Sequence, residues 1–278
     1  MRVSVIIPTF NQRGSLLRCL DSLHHQTLQP TEIIVVDNKS TENIYSLCEQ
    51  FPKVRYCQES KQGSYAARNK GISIATGEIL AFIDSDCLPS SEWLQQGVNA
   101  LRTADLVAGH IEFCFRSSRP TPVEYADMLS YLRQQDYAQE GYAATGNAFT
   151  RREWFDKVGR FRDDLLSLGD REWGQRLTAA GGRVVYCPDA IVFHPARSSM
   201  QSLLKKVRLQ AVHGQKLHPF TWKRLVTQLL PLGSQFWRSG WRDPNLRGWE
   251  KLQFAWIIHR VKWEVAIVMV RSLLTRPR

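Results

Sequence analysis

The stretch EILAFIDSDCLP, residues 78–89, carries an apolar run into Asp84, Ser85 and Asp86. Two carboxylates two residues apart repel each other, and something must offset that repulsion. One answer is a hard divalent cation, which takes carboxylate oxygens and commonly holds substrate phosphates as well. The other is a solvated turn. Two further stretches carry related chemistry. Asp37, in VVDNKS, can accept hydrogen bonds from a base or a ribose, or serve only a local turn at Ser40. Arg68 and Asn69, in AARNKG, stand on a helix. The planar guanidinium of an arginine matches phosphate oxygens, although a surface arginine is usually only solvated.

These groups need elements to position them. VSVIIP (3–8) and EIIVVD (32–37) are continuous apolar runs, as strands covered on both faces are. Between them GSLLRCLDSL places Leu16, Leu17, Leu20 and Leu23 on one helical face. Strand, helix and strand in this order make a βαβ unit and hence a parallel sheet. NIYSLCEQF, SYAARNKGISIA, SSEWLQQGVNAL and VEYADMLSYLRQQ read as helices; VRYCQ, EILAFID and DLVAGHIEF read as strands. Thr150, with Glu153 three residues on and Gly159 as a stop, predicts a capped helix over TRREWFDKVG. DREWGQRLTAAGG is a further helix, with Asp170 at its N-cap, and RVVYCPDAIVFH a strand pair or a bent strand broken at Pro188. The fold class is therefore α/β, and ligands are expected beyond the carboxyl ends of the parallel strands. The first strand ends in PTFNQRG, which is neither a dinucleotide fingerprint nor a P-loop.

The charge is uneven. Residues 1–196 hold 21 Lys and Arg against 23 Asp and Glu, whereas residues 197–278 hold 16 against three, with six of the nine tryptophans. A near-neutral body is followed by a basic, Trp-rich region suited to an anionic surface, a membrane interface before a nucleic acid. Six scattered cysteines form no C-x-x-C pair and read as buried thiols. The chain opens on strand-like RVSVIIP, so a cytoplasmic, reducing location is expected, at the inner face of the membrane if the basic region docks there.

Seven stretches in fixed order carry a resemblance: VIIPTFN (5–11), IIVVDNKS (33–40), AARNKGI (66–72), FIDSD (82–86), GNAFTRREWFDKVGRF (146–161), GDREWGQRL (169–177) and YCPDAIVFHP (186–195). Over roughly residues 1–196 the sequence resembles the family 2 glycosyltransferases of the GT-A fold. The resemblance implies a mostly parallel central sheet flanked by helices over residues 1–198, and leaves 199–278 as a helical extension. It implies an inverting transfer from a nucleotide-diphosphate sugar, uridine before other bases, to a saccharide or lipid-linked acceptor in polysaccharide, glycolipid or envelope biosynthesis. Pro8, Thr9, Asn11 and Asp37 would hold the nucleotide, with Arg68 and Asn69 near its diphosphate. Asp84, with Ser85 beside it, would meet the ribose, and Asp86 would ligate Mn2+ or Mg2+, joined by His194. Asp170 matches the general base, and could also be the cap of its helix. Gly146, Asn147 and Glu172 fall on the acceptor side, although Gly146 and Asn147 also read as a plain helix entry. Gly169 stands where many relatives carry Glu. The Q-x-x-R-W motif of processive synthases is absent, which favours addition of a single sugar.

In the basic region WEKLQFAWIIHRVKWEVAIVMVRSLL (249–274) is a helix whose longest uncharged apolar run is VAIVMV, far short of the ~20 residues of a bilayer span. Glu250, Arg260, Glu264 and Arg271 predict a polar stripe, with Lys251 and Lys262 off it. This helix and LLKKVRLQAV (203–212) are expected to rest on a membrane face, or else to pack on the body or a second subunit. Two other functions compete. A nucleotidyltransferase would need a Gly-rich loop after the first strand. A silent scaffold would have lost one of Asp37, Asp84, Asp86 and Asp170, and all four are present.

Overall fold

The apolar runs fold as strands because each buries both faces. β1 (Val3–Thr9) and β2 (Glu32–Asp37) are buried at every residue in a computed structural model that describes residues 1–218, 220–230 and 246–274. Side chains alternate across a strand. Val3, Val5, Ile7, Ile33 and Val35 therefore enter one core, with Leu16, Leu20 and Leu23 of α1 (Arg13–His24). Ile6, Ile34 and Val36 enter the core on the other side. Leu17 departs from the predicted face: it is exposed, and Cys19 packs inward instead.

The chain continues through α2 (Tyr45–Cys48), β3 (Val54–Gln58), α3 (Ser64–Ile74), β4 (Ile79–Ile83), β5 (Leu88–Pro89), α4 (Trp93–Ala100) and β6 (Leu106–Cys114). Then come α5 (Pro122–Ser130), α6 (Gln134–Gln139), β7 (Asn147–Arg151), α7 (Glu153–Val158), α8 (Gly169–Ala179) and β8 (Val184–Pro195). The sheet order is β3-β2-β1-β4-β7-β6-β8-β5. β3, β2, β1 and β4 are parallel; β7 enters antiparallel between β4 and β6, and β5 pairs antiparallel with β8. α1 and α4 pack into the first core, and α3, α7 and α8 into the second.

Two expectations are corrected. Thr150 caps no helix: it lies in β7, fully buried, and its hydroxyl donates to the Asp105 carbonyl. A capping box does occur at Thr121 and Glu124, opening α5 with Pro122 in its first turn. β8 runs unbroken from Val184 to Pro195, through Pro188, so neither a strand pair nor a break forms there.

The chain forms two compact units, Met1–Glu112 with Leu132–His194, and Phe113–Tyr131 with the chain from Pro195 onward. The second is helical, with α5, α9 (Met200–Leu217), α10 (Trp222–Leu229) and α11 (Gly248–Leu274). Tyr125 of α5 stands edge-on to Phe254 of α11. Fully buried Asp127 accepts from the backbone N–H and the guanidinium of Arg197, both at 3.0 Å. The predicted polar stripe of α11 meets solvent at Arg271 but not at Glu264. Glu264 is buried between Arg208 of α9 and Arg260, 2.6 Å away. The Arg208 guanidinium, then Arg260, hold its carboxyl below the usual range against the opposing pull of burial. In 203–212, Leu203, Val207 and Ala211 turn inward and are buried, while Val212 is exposed. Among the described residues no helix is long and apolar enough to cross a membrane.

Candidate active site

The parallel strands end together, and their loops are tied to one another before any ligand arrives. Asn11, just past β1, donates its N–H to the Ser40 hydroxyl at 2.9 Å, and its side-chain oxygen accepts the Thr41 N–H at 2.8 Å. Asp37 ends β2 almost fully buried, and accepts from the Ser40 N–H at 2.9 Å and the Tyr56 hydroxyl at 3.1 Å. Asn38 donates to the Glu59 and Lys61 carbonyls and accepts from the Gly63 N–H, which fixes the start of α3. Asn11, Lys39 and Leu168 all have positive φ, a conformation that non-glycine residues adopt at a cost and that concentrates at functional loops.

A cleft of about 240 Å³ opens at these ends, lined by Pro8, Thr9 and Phe10 from β1 and its loop, with Arg68, Asp84 and Asp86 among the facing side chains. Arg68 is buried on α3 and its guanidinium donates to Asp84 Oδ1. The repulsion between the two carboxylates is thus offset in part by an arginine. Gln12 spans the next pair, accepting from the Ser85 hydroxyl and donating to Asp86 Oδ2 at 3.4 Å. His194, at the end of β8, points Nε2 toward Asp86 Oδ1 at 4.0 Å. One ligand atom each from Asp86, Cys87 and His194 lie within 4.8 Å of one another. Burial, then the charges of Asp84 and Asp86, push the Cys87 thiol up. Of the three donors in this cluster, the carboxylate of Asp86 and the imidazole of His194 suit a divalent cation such as Mn2+.

Asp170 begins α8 at its second residue, since Gly169 is already helical and Leu168 holds the cap. It is therefore no N-cap, but its charge still faces the positive end of the helix. Its Oδ1 accepts from the Tyr65 hydroxyl and the Arg171 N–H, both at 2.9 Å, and Oδ2 accepts from the Thr145 N–H at 3.3 Å. Burial, then the Asp170 charge, push the Tyr65 phenol well up, so its hydroxyl is the donor in this pair. Gly146, next to Thr145, abuts Asp84: a Cβ there would stand 3.2 Å from Asp84 Oδ2.

Three expected contacts fall elsewhere. Asn69 spends both amide atoms on the backbone of Phe161, at 2.8 and 3.1 Å. Asn147 is fully buried; it accepts from Trp93 Nε1 at 2.8 Å and donates to the carbonyls of His110 and Ala190. It opens β7, not a helix. Glu172 holds Arg176 through both carboxylate oxygens, at 2.9 and 3.0 Å. Conversely, Gln12 and Tyr65 bond to site carboxylates, and the sequence offered little to mark them. Gln12 lies in the loop PTFNQRG, but Tyr65 reads as an ordinary core aromatic.

The fold is that of the GT-A glycosyltransferases, with four parallel strands joined to an antiparallel half. The chain belongs to glycosyl transferase family 2, whose sequence profile matches residues 4–159. Glycosyltransferase AglE of Haloferax volcanii is 35% identical over 216 residues, which span 74% of this chain and 71% of that one. An uncharacterized glycosyltransferase of Nostoc sp. is 30% identical over 232 residues, 78% of this chain and 67% of its own. Mannosyltransferase PcManGT of Pyrobaculum calidifontis, solved with GDP-Man and Mn2+, superposes with a TM-score of 0.62 at 20% identity, over 100% of this chain and 76% of that one. Residues 1–349 of S. aureus TarS, solved with UDP-GlcNAc, give a TM-score of 0.56 at 21% identity, over 77% and 67%. Both likenesses concern the fold. Family membership makes the protein a glycosyltransferase and sets aside the nucleotidyltransferase and scaffold readings.

Proposed function

We propose that this glycosyltransferase moves one sugar from a nucleoside-diphosphate donor, uridine first, to a hydroxyl of a saccharide or lipid-linked acceptor, with inversion and with a divalent cation. The observation that carries the reading is the convergence of Asp86 and His194 beside a cleft walled by Arg68 and Asp84. Asp37 presents a carboxylate at the base end, already oriented by Ser40 and Tyr56. Arg68 supplies a buried cation on the diphosphate side, and Asp84 an acceptor for ribose hydroxyls. A cation held by Asp86 and His194 would neutralise charge on the leaving diphosphate. Asp170, at the start of its helix and hydrogen-bonded by the Tyr65 hydroxyl, takes the proton of the acceptor hydroxyl. The acceptor oxygen then bonds to the anomeric carbon from the face opposite the departing diphosphate, so the configuration inverts. The acceptor belongs to the class used in polysaccharide, glycolipid or envelope biosynthesis.

The test is donor binding and turnover with UDP-, GDP- and dTDP-sugars, each with Mn2+ or Mg2+. Asp86→Ala is expected to lose metal-dependent binding. Asp170→Asn is expected to bind donor but to turn over about 10²–10⁴-fold more slowly. Absence of donor binding with either metal would refute the proposal.

A further inference from the structure

α11 carries its largest apolar side chains on the outside. Trp249, Trp256 and Trp263 recur every seven residues and are 70%, 61% and 49% exposed. Leu252, Val270 and Leu274 are exposed with them. At 100° per residue these six positions fall within about one sixth of the helix circumference, in a stripe about 38 Å long. The opposite side is already occupied within the helical unit: Phe254 meets Tyr125 of α5, Ala266 and Met269 meet Leu225 of α10, and Glu264 meets Arg208 of α9. α10 also exposes apolar side chains. Leu225 is buried, while Trp222, Val226 and Leu229, on the adjoining part of the same face, are exposed. Apolar faces of this extent in water mark a binding surface.

We infer that the Trp stripe of α11 is a docking face for an anionic lipid bilayer, on which the helix lies in the plane of the interface. Three observations select this occupant. Tryptophan ring systems, apolar with one polar edge, partition to the boundary between headgroups and acyl chains. The 197–278 region holds 16 Lys and Arg against three Asp and Glu, so a negative headgroup layer attracts it, whereas a second copy would bring like charge against like. The helix is also not apolar enough to span, so the stripe is its means of contact with lipid. Of the two helices expected at the membrane, α11 carries the role here, because Leu203, Val207 and Ala211 of α9 are buried inside the unit.

The test uses the full chain in a vesicle flotation assay, with phosphatidylcholine alone and with about 30 mol% phosphatidylglycerol. The chain is expected to float with the anionic vesicles at low salt and to be released at about 0.5 M salt, where the Debye length shrinks to a few ångströms. The double variant Trp256→Ser, Trp263→Ser removes exposed side chains, and its melting curve should match the parent. Its partition onto anionic vesicles is expected to fall roughly tenfold or more. Three results would overturn the inference: no flotation of the parent at low salt, equal flotation of the double variant, or a lipid-free dimer of the parent that the double variant abolishes. The last would make the stripe an interface between chains. No outcome depends on donor binding or turnover, so the glycosyltransferase mechanism proposed above stands or falls separately.

Discussion

Glu32 gives the most quantitative handle on how the site is held. It begins β2, five residues before Asp37, and is 6% exposed. Its carboxylate accepts from the Ser4 hydroxyl at 2.7 Å, the Thr76 N–H at 2.6 Å, the Thr76 hydroxyl at 2.8 Å and Arg55 at 2.6 Å. Burial alone would raise its pKa, but these four donors together bring it down to about 2, from 4.5. The gap corresponds to about 3 kcal/mol of folding stability. Arg55 is half exposed, so its pairing is screened and the hydroxyls and the amide carry the larger share. The folded value lies below the unfolded one. The contribution is therefore complete above pH 4.5 and disappears as pH falls from there toward 2. Glu32→Gln keeps the volume, loses the charge and turns one acceptor into a donor. Urea unfolding of both proteins at pH 7, 5, 4 and 3 should show a stability difference of about 3 kcal/mol at pH 7 that shrinks steadily below pH 4.5. Activity per folded molecule should be unchanged, because Glu32 stands at the far end of β2 from the cleft. A difference as large at pH 3 as at pH 7 would refute the argument that the charge is what these donors hold.

Two further predictions address the site. Tyr65→Phe removes the hydroxyl that donates to Asp170 while keeping the buried ring, so kcat/KM should fall about tenfold with little change in Tm; an unchanged kcat/KM would count against any role for Tyr65 in positioning Asp170. Asn147→Ala strands the Trp93 indole N–H and two carbonyls in the interior, and should cost about 3 kcal/mol, or about 6–12 °C in Tm. A parent-like Tm with a raised acceptor KM would instead return Asn147 to the acceptor side.

The parallel half of the sheet was legible because nothing else explains runs such as VSVIIP and EIIVVD, whose every side chain must leave water. β7 was not. NAFTR is short, includes Asn and Thr, and precedes a pattern that imitates a capped helix. Only the tertiary fold decides that Thr150 serves the Asp105 carbonyl instead. The same limit separates Arg68 from Asn69. Both are polar residues on one helix, one lining the cleft and the other tied to Phe161, and residue type does not say which way each turns. The carboxylates were easier, since Asp84 and Asp86 at a strand end are costly without a partner. What those partners are, an arginine for one and a glutamine and histidine for the other, needed the chain brought together in space.

The dipeptide Thr145–Gly146 touches both chemical ends of the site, one residue through its N–H on Asp170 and the next through its bare backbone against Asp84. It leads directly into β7, which is clamped between β4 and β6. It therefore works as a caliper between Asp84 and Asp170, two adjacent residues long and anchored to the central sheet. Under the mechanism proposed above, what the enzyme glycosylates varies through surfaces outside that span.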